Sequence, residues 1–306
     1  MNFKMQFKGQ RKLYLKIIIS VLFLVYLLTY INLNVLVNSI YNVNQTLFLL
    51  ALILIPLSIF IRALRWYVII NKDIKIISIK NSFNLTLVGM ALNIFLPASS
   101  GDIAKSYYGY KWYGYKEEMI SSSIVDKLIA LLSVFIIGTI SSLFFDFYYL
   151  HLFSFLVVIG LLLILFYPQF IPWKILNLIL RKFKSSELIE HKLISSFSIS
   201  NKKKFITLSI SILAWLVSYL QFFVICKSFN LDISILYIFA ISPIVTLAAL
   251  FPFTFNGMGS VEAVNAYLFS LINISPTLAI FVTFFNSQIL ATLIPGIFGL
   301  IIILKK

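Results

Sequence analysis

Six long apolar stretches separated by polar and basic residues set the pattern of this chain: Leu13–Leu33, Thr46–Ile70, Met119–Phe145, Leu152–Ile171, Phe205–Ile225 and Thr277–Leu304. A helix rises about 1.5 Å per residue, so about 20 apolar residues are needed to cross a hydrocarbon core of about 30 Å. All six predict spanning helices. Three further apolar segments are shorter and less regular: Ser82–Leu96, Ile233–Phe251 and Ser260–Ile274. At 15 residues, a helix reaches roughly 22 Å, which falls short of a full crossing.

Two Pro/Gly breaks interrupt these shorter segments. One runs Phe95-Leu96-Pro97-Ala98-Ser99-Ser100-Gly101-Asp102, the other from Phe251-Pro252 through Gly257 and Gly259 to Glu262. Broken helices at membrane depth are tolerated where protein buries them or where they line a cavity. Breaks in corresponding places of two halves point to a transport site.

Composition agrees. The chain has 306 residues, 61% hydrophobic and 11% charged, with mean hydropathy +1.01. A soluble domain carries about 25% charged residues. The expected fold class is an all-α polytopic membrane protein of about 7–8 transmembrane helices plus one or two re-entrant or broken helix hairpins. It reads as a single integral membrane domain over 1–306, with a charge-rich loop at about 172–204. Leu13–Leu33 is too long for a signal-peptide core and reads as an anchoring span.

The formal charge of +15 would suggest nucleic acid in a soluble protein, but its placement points elsewhere. All Lys and Arg except Lys127 and Lys227 fall on one side of the threaded spans. That side is cytoplasmic by the positive-inside rule, with both termini on it. The membrane is expected to be the cell membrane. Ser82–Leu96 lies between basic stretches of the same side, so it must enter and return as a hairpin turning at Pro97–Gly101. For Ile233–Phe251 and Ser260–Ile274, charge leaves two arrangements open: both cross, or they form a hairpin from the outer face. The second arrangement is an inverted repeat.

The residues that could carry chemistry cluster at these breaks. Ser82, Thr86, Gly89 and Asn93 form a small, polar helical stripe, read as close packing or as a wall of a hydrated path. Arg62 and Arg65 lie within an apolar helix, where Arg needs a partner or water and its planar fork suits phosphate or carboxylate. Asp102 and Lys105 follow the first break. Asp102 is read as a local partner of Lys105 or as part of a site. Asp126 and Lys127 lie inside a span, with Arg62 or Lys105 as candidate partner of the carboxylate. Glu262 follows Gly257 and Gly259, as a first-turn acid or a headgroup or proton-coupling residue. The aromatic run from Tyr107 to Tyr115 reads as an interfacial belt. There is no Gly-Lys-Ser/Thr phosphate loop, no Gly-x-Ser-x-Gly elbow and no metal-ligand spacing about His151 or His191. The single cysteine, Cys226, can form neither an intrachain disulfide nor a Cys-based zinc site. No cofactor, metal or catalytic residue is implied.

Taken together, Arg62-Ala63-Leu64-Arg65-Trp66, Asn93 to Pro97 with Gly101-Asp102 and Lys105, Ser123 to Lys127, and Pro252 to Glu262 resemble one family. It is the flippase-like integral membrane family that includes the transmembrane region of lysylphosphatidylglycerol synthase. The family usually has Glu at Asp102, Arg at Lys105 and Glu-Arg at Asp126-Lys127, with an acid shortly after where Ala130 lies here. The soluble aminoacyltransferase domain has no counterpart in the sequence. The resemblance implies movement of a phospholipid or lipid-linked headgroup across the bilayer. Its site would comprise Arg62, Arg65, Asn93, Pro97, Gly101, Asp102, Lys105, Asp126, Lys127, Pro252, Gly257, Gly259 and Glu262. Expected partners are membrane lipids with an anionic or lipid-linked headgroup, and a glycosyltransferase or lipid-modifying enzyme; nucleic acid is not expected. The alternatives are a membrane transferase using a polyprenyl-phosphate-linked sugar, with Asp102 as base or metal ligand, and an accessory subunit of such an enzyme.

Overall fold

The computed structural model describes residues 29, 31–72, 74–96, 99–167, 200–250, 254 and 256–306. Most of the expected span Leu13–Leu33 and of the loop at about 172–204 lies outside these residues, as do Pro97 and Pro252. No strand occurs among the described residues.

The described chain runs α1 (Leu33–Tyr41), α2 (Gln45–Ile70), α3 (Ile79–Phe95), α4 (Gly101–Tyr113), α5 (Lys116–Ser142), α6 (Tyr148–Phe166), α7 (Asn201–Ser228), α8 (Ile235–Ala249), α9 (Ser260–Ser270) and α10 (Pro276–Lys305). α10 takes a π-helical path over Phe285–Leu293. Polar caps start most of these helices. The side chains of Asn44, Ser78, Ser200, Ser234 and Ser275 each accept a backbone N–H of the first turn, a donor that would otherwise lack a partner. Five described helices are long and apolar enough to cross a membrane: α2, α5, α6, α7 and α10. They match the last five of the six stretches read as spans.

The shorter helices form two hairpins. In the first, α3 and α4 run antiparallel along a seam of small residues. Gly89 faces Gly101 and Lys105, and Leu85 faces Gly109. A methyl on Gly101 would sit 2.3 Å from the Gly89 carbonyl oxygen, so the two backbones touch where only glycine fits. In the second hairpin, Ser260 Oγ donates to Ala248 O at 2.8 Å near the tip, and Tyr237 Oη donates to Leu268 O near the open end. Ile233–Phe251 and Ser260–Ile274 therefore pack as one antiparallel hairpin, and neither of its helices is among the five long enough to cross. They turn back together.

The hairpins open at opposite ends of the bundle. Beside the open end of α8–α9, Asn44 N–H donates to Ser228 O at 2.9 Å, and the rings of Phe145 and Phe147 pack on Tyr237. At the other end, beside the open α3–α4 hairpin, Lys203 bonds the Lys72 carbonyl and Lys306 bonds Tyr113 at the end of α4. The order of elements repeats as well. α2, hairpin α3–α4 and α5 have 26, 17, 13 and 27 residues; α7, hairpin α8–α9 and α10 have 28, 15, 11 and 30. Two like units inserted from opposite faces constitute an inverted repeat.

Small residues let the helices approach elsewhere too. Gly138 of α5 meets Pro243 of α8, and Gly296 and Gly299 of α10 meet Ala91 and Leu87 of α3. Large apolar side chains point outward instead: Leu49, Ile53 and Phe60 on α2, and Leu152, Phe155 and Leu156 on α6. α6 buries just Ser154 and Leu165, as expected of a peripheral helix bathed in lipid.

Candidate functional site

The two hairpin tips meet in the interior. Ser99 Oγ donates to Asn256 Oδ1 at 3.0 Å, and Asn256 Nδ2 donates to Thr292 Oγ1 at 2.8 Å on the π stretch of α10. Ser99 and Asn256 both hold a left-handed backbone, at φ 49° and 46°. Such conformations strain a residue with a side chain and persist where surrounding contacts fix them. Beside this junction lies a cavity of about 290 Å³, walled by α2 to α5 on one side and α7 to α10 on the other.

The first half lines it with charge. Arg65 and Lys105 both converge on Asp126. Arg65 Nε lies 2.6 Å from Asp126 Oδ1 and Lys105 Nζ 3.3 Å from Oδ2. Arg65 Nη1 also donates to Ser211 Oγ on α7 at 2.8 Å. Lys105 Nζ sits 4.1 Å from the centre of the Trp66 ring, which favours the cation, and Trp66 Nε1 donates to Ser122 Oγ at 3.1 Å. One carboxylate thus serves two buried cations. Burial of a charge is tolerable when it is paired and its remaining valences are bonded.

A second ion pair ties the first tip to α5. Lys127 Nζ lies 2.7 Å from Asp102 Oδ2 and donates to Ser99 O at 3.3 Å. Asn93 closes the turn: its Oδ1 accepts the Gly101 N–H at 2.7 Å and its Nδ2 donates to Asp102 Oδ1 at 3.4 Å. Asp102 and Lys105 do not pair with each other. Each reaches across to α5 instead, because α4 presents both to that helix.

Arg62 differs from the other cations. No hydrogen bond or ion pair to it exists among the described residues; its guanidinium lies 5.3 Å from the centre of the Trp215 ring. Trp215 is fixed in turn, with Nε1 donating to Ala130 O at 3.0 Å. Arg62 is therefore not the partner of Asp126, a place Arg65 fills one turn closer to the end of α2.

The second half lines the cavity with neutral polar groups: Ser218 and Gln221 on α7, Asn265 on α9, and Thr283, Asn286 and Ser287 on α10. Gln221 Nε2 donates to Asn286 Oδ1 at 2.8 Å. Glu262 lies behind this wall, fully buried. Its Oε2 accepts the Gly259 N–H at 2.6 Å, and its Oε1 accepts Ser287 Oγ and Gln288 Nε2, both at 3.1 Å. It caps α9 and pins the second tip to α10.

Of the residues read from sequence, Arg62, Arg65, Asn93, Asp102, Lys105, Asp126 and Lys127 line one cavity. Gly101, Gly257 and Gly259 shape the tips, and Glu262 braces the second tip from outside the lining. Within the polar stripe, Ser82 donates to Ala63 O at 2.7 Å and Gly89 packs on α4, whereas Thr86 and Asn93 line the cavity. Sequence reasoning passed over Ser99, Trp215, Gln221, Asn256 and Asn286. Gln221 and the Asn286-Ser287-Gln288 run were detectable as amides inside apolar helices. Ser99, Asn256 and Trp215 carry no such signal.

No curated protein and no solved structure matches the chain significantly. Residues 13–299 match the family described as "Lysylphosphatidylglycerol synthase TM region", which leaves few residues at either end uncovered. The match runs through both hairpins and every cavity-lining residue, and the chain belongs to the lysylphosphatidylglycerol synthase transmembrane-region family.

Proposed function

We propose that the protein moves a phospholipid or lipid-linked headgroup across the membrane through the cavity between its hairpins. Membership of the family supports a membrane lipid-related function. The single observation that carries the transport reading is the meeting of two oppositely inserted hairpin tips, Ser99 to Asn256, beside a polar cavity inside an apolar bundle. A site at the junction of inverted repeats suits alternating access from the two faces. The headgroup would occupy the cavity, with Arg62 and the charged wall receiving its phosphate, while the acyl chains stay in lipid. Asp102, the base a transferase would need, is held by Lys127 at 2.7 Å, which gives that alternative poor support.

The end bearing Lys72, Lys116, Lys203 and Lys306 would face the cytoplasm, since the opposite end carries Lys227 as its one described lysine. The cell membrane is the proposed location, and a glycosyltransferase or lipid-modifying enzyme the proposed source or consumer of the cargo. Reconstitution into liposomes tests transport. Fluorescent phosphoglycerides, aminoacylated lipids and polyprenyl phosphates are followed by their access to a membrane-impermeant quencher. Rates above those of protein-free vesicles are expected for at least one class; equality for all of them refutes the proposal.

A further inference from the structure

The charge pattern inside the cavity narrows the cargo. Among the lining residues, Arg62, Arg65, Lys105 and Lys127 stand against Asp102 and Asp126, an excess of two positive charges. Neither carboxylate is free. Asp126 is shared by Arg65 and Lys105, and Asp102 is held by Lys127 and Asn93. Glu262 is turned away from the cavity and accepts three hydrogen bonds from its own cage. An ammonium entering this space finds no uncommitted anion, and it meets an unpaired guanidinium. An amine-bearing headgroup would therefore be desolvated beside like charge, which is costly at low dielectric.

The opposite wall suits a different group. Gln221, Asn265, Asn286 and Ser287 are neutral donors and acceptors within an apolar surround. Asn265 Oδ1 and Thr283 Oγ1, both buried, have no hydrogen-bond partner. Hydroxyls match the lining amides, since each can donate to an amide oxygen and accept from an amide nitrogen.

We propose that the cargo is an anionic phosphodiester lipid with an uncharged, hydroxyl-rich headgroup, its phosphate on Arg62 and its hydroxyls on the amide wall of the second half. This rests on the translocation reading and deepens it. The shared chemistry, phosphate plus polyol, is found in glycerol-headed phosphoglycerides and in polyprenyl-phosphate sugars. Ethanolamine and choline lipids lack the polyol, and an aminoacylated glycerol lipid loses one hydroxyl and gains an ammonium.

Binding, measured apart from transport, tests the idea. Delipidated full-length protein in detergent is offered an equimolar mixture of phosphatidylglycerol, a polyprenyl phosphohexose, phosphatidylethanolamine, phosphatidylcholine and lysylphosphatidylglycerol. Retained lipid is quantified by mass spectrometry. Enrichment of phosphatidylglycerol or of the phosphohexose over the amine lipids by roughly tenfold is expected, from the ammonium desolvated beside like charge and the hydroxyl contacts forgone, since the phosphate is common to all five; which of the two is retained identifies the source. Arg62→Gln should lower retention of all five lipids and shrink the preference, since it removes the phosphate's partner and part of the like charge; Arg62→Lys should keep part of both, because Lys retains the charge without the fork. Equal retention of all lipids, or enrichment of the lysyl lipid, overturns this inference while the translocation reading stands if liposome transport is seen. Retention that Arg62→Gln leaves unchanged in a folded protein overturns the assignment of the phosphate to Arg62. Preference without any transport sinks the translocation reading alone.

Discussion

The two halves of the molecule are built alike and equipped differently. In each, a long helix leads into a hairpin, a glycine opens the return helix, and an acid in its first turn is held by the following long helix. Asp102 is held by Lys127 of α5, and Glu262 by Ser287 and Gln288 of α10. The same mechanical task, pinning a broken helix tip at depth, is solved once with an ion pair and once with neutral hydrogen bonds. Any two polar partners that satisfy each other will brace a tip. A surplus of charge is not needed for that, so the surplus on the first half calls for another explanation, and an anionic visitor supplies one.

The hardest test of the contrast removes a carboxylate from each half. Asp126→Asn leaves Arg65 and Lys105 buried without a counter-charge and should cost about 3–5 kcal/mol, enough to threaten folding. Glu262→Gln keeps the shape and strands one donor against the Gly259 N–H, a loss of about 1–3 kcal/mol. Thermal unfolding in detergent should rank them in that order. Equal losses would mean the charge network is no more structural than the neutral cage. Next come the tips themselves. Gly101→Ala would put a methyl against the Gly89 carbonyl, and Gly257→Ala one 2.7 Å from Ala249 Cα at a left-handed φ of 76°. Each should destabilise by about 1–3 kcal/mol through overpacking, with the second carrying the added strain of its backbone. A tolerated Gly101→Ala would show that the seam of the first hairpin can open by the width of a methyl group.

Much of this plan was legible in the sequence. The spans followed from apolar length, the first hairpin from basic residues on both sides of Ser82–Leu96, and the charged wall from ionisable residues inside spans. Charge was silent on the second hairpin, because crossing twice and turning back both leave the C-terminus on the same side. Its return is dictated by packing, in Tyr237 against Leu268 and Ser260 against Ala248. Pairing was equally hidden. Residues 62 and 65 are one turn apart on α2, and the sequence could not tell which of them reaches Asp126 on α5. Helix rotation decides that, and it gives Asp126 to Arg65 while leaving Arg62 open. Ser99 and Asn256 escaped notice for a plainer reason: Ser and Asn are ordinary turn residues, and their partnership spans 157 positions.

That long-range bond is the smallest effect and the most specific one. Single substitutions report it poorly. Ser99→Ala removes one hydrogen bond, whereas Asn256→Ala removes that bond and the one to Thr292. A double-mutant cycle separates the shared term, since the Thr292 bond is lost in both arms that carry Asn256→Ala. The coupling between the two sites should be about 0.5–1.5 kcal/mol, the net worth of one buried neutral hydrogen bond. Both residues sit in left-handed turns, and alanine is poorer than asparagine at holding that conformation, but this cost enters each single mutant separately and cancels in the cycle. Coupling near zero, with both single variants folded, would mean that the tips do not touch, and the cavity would then lose the junction that closes it between the two faces.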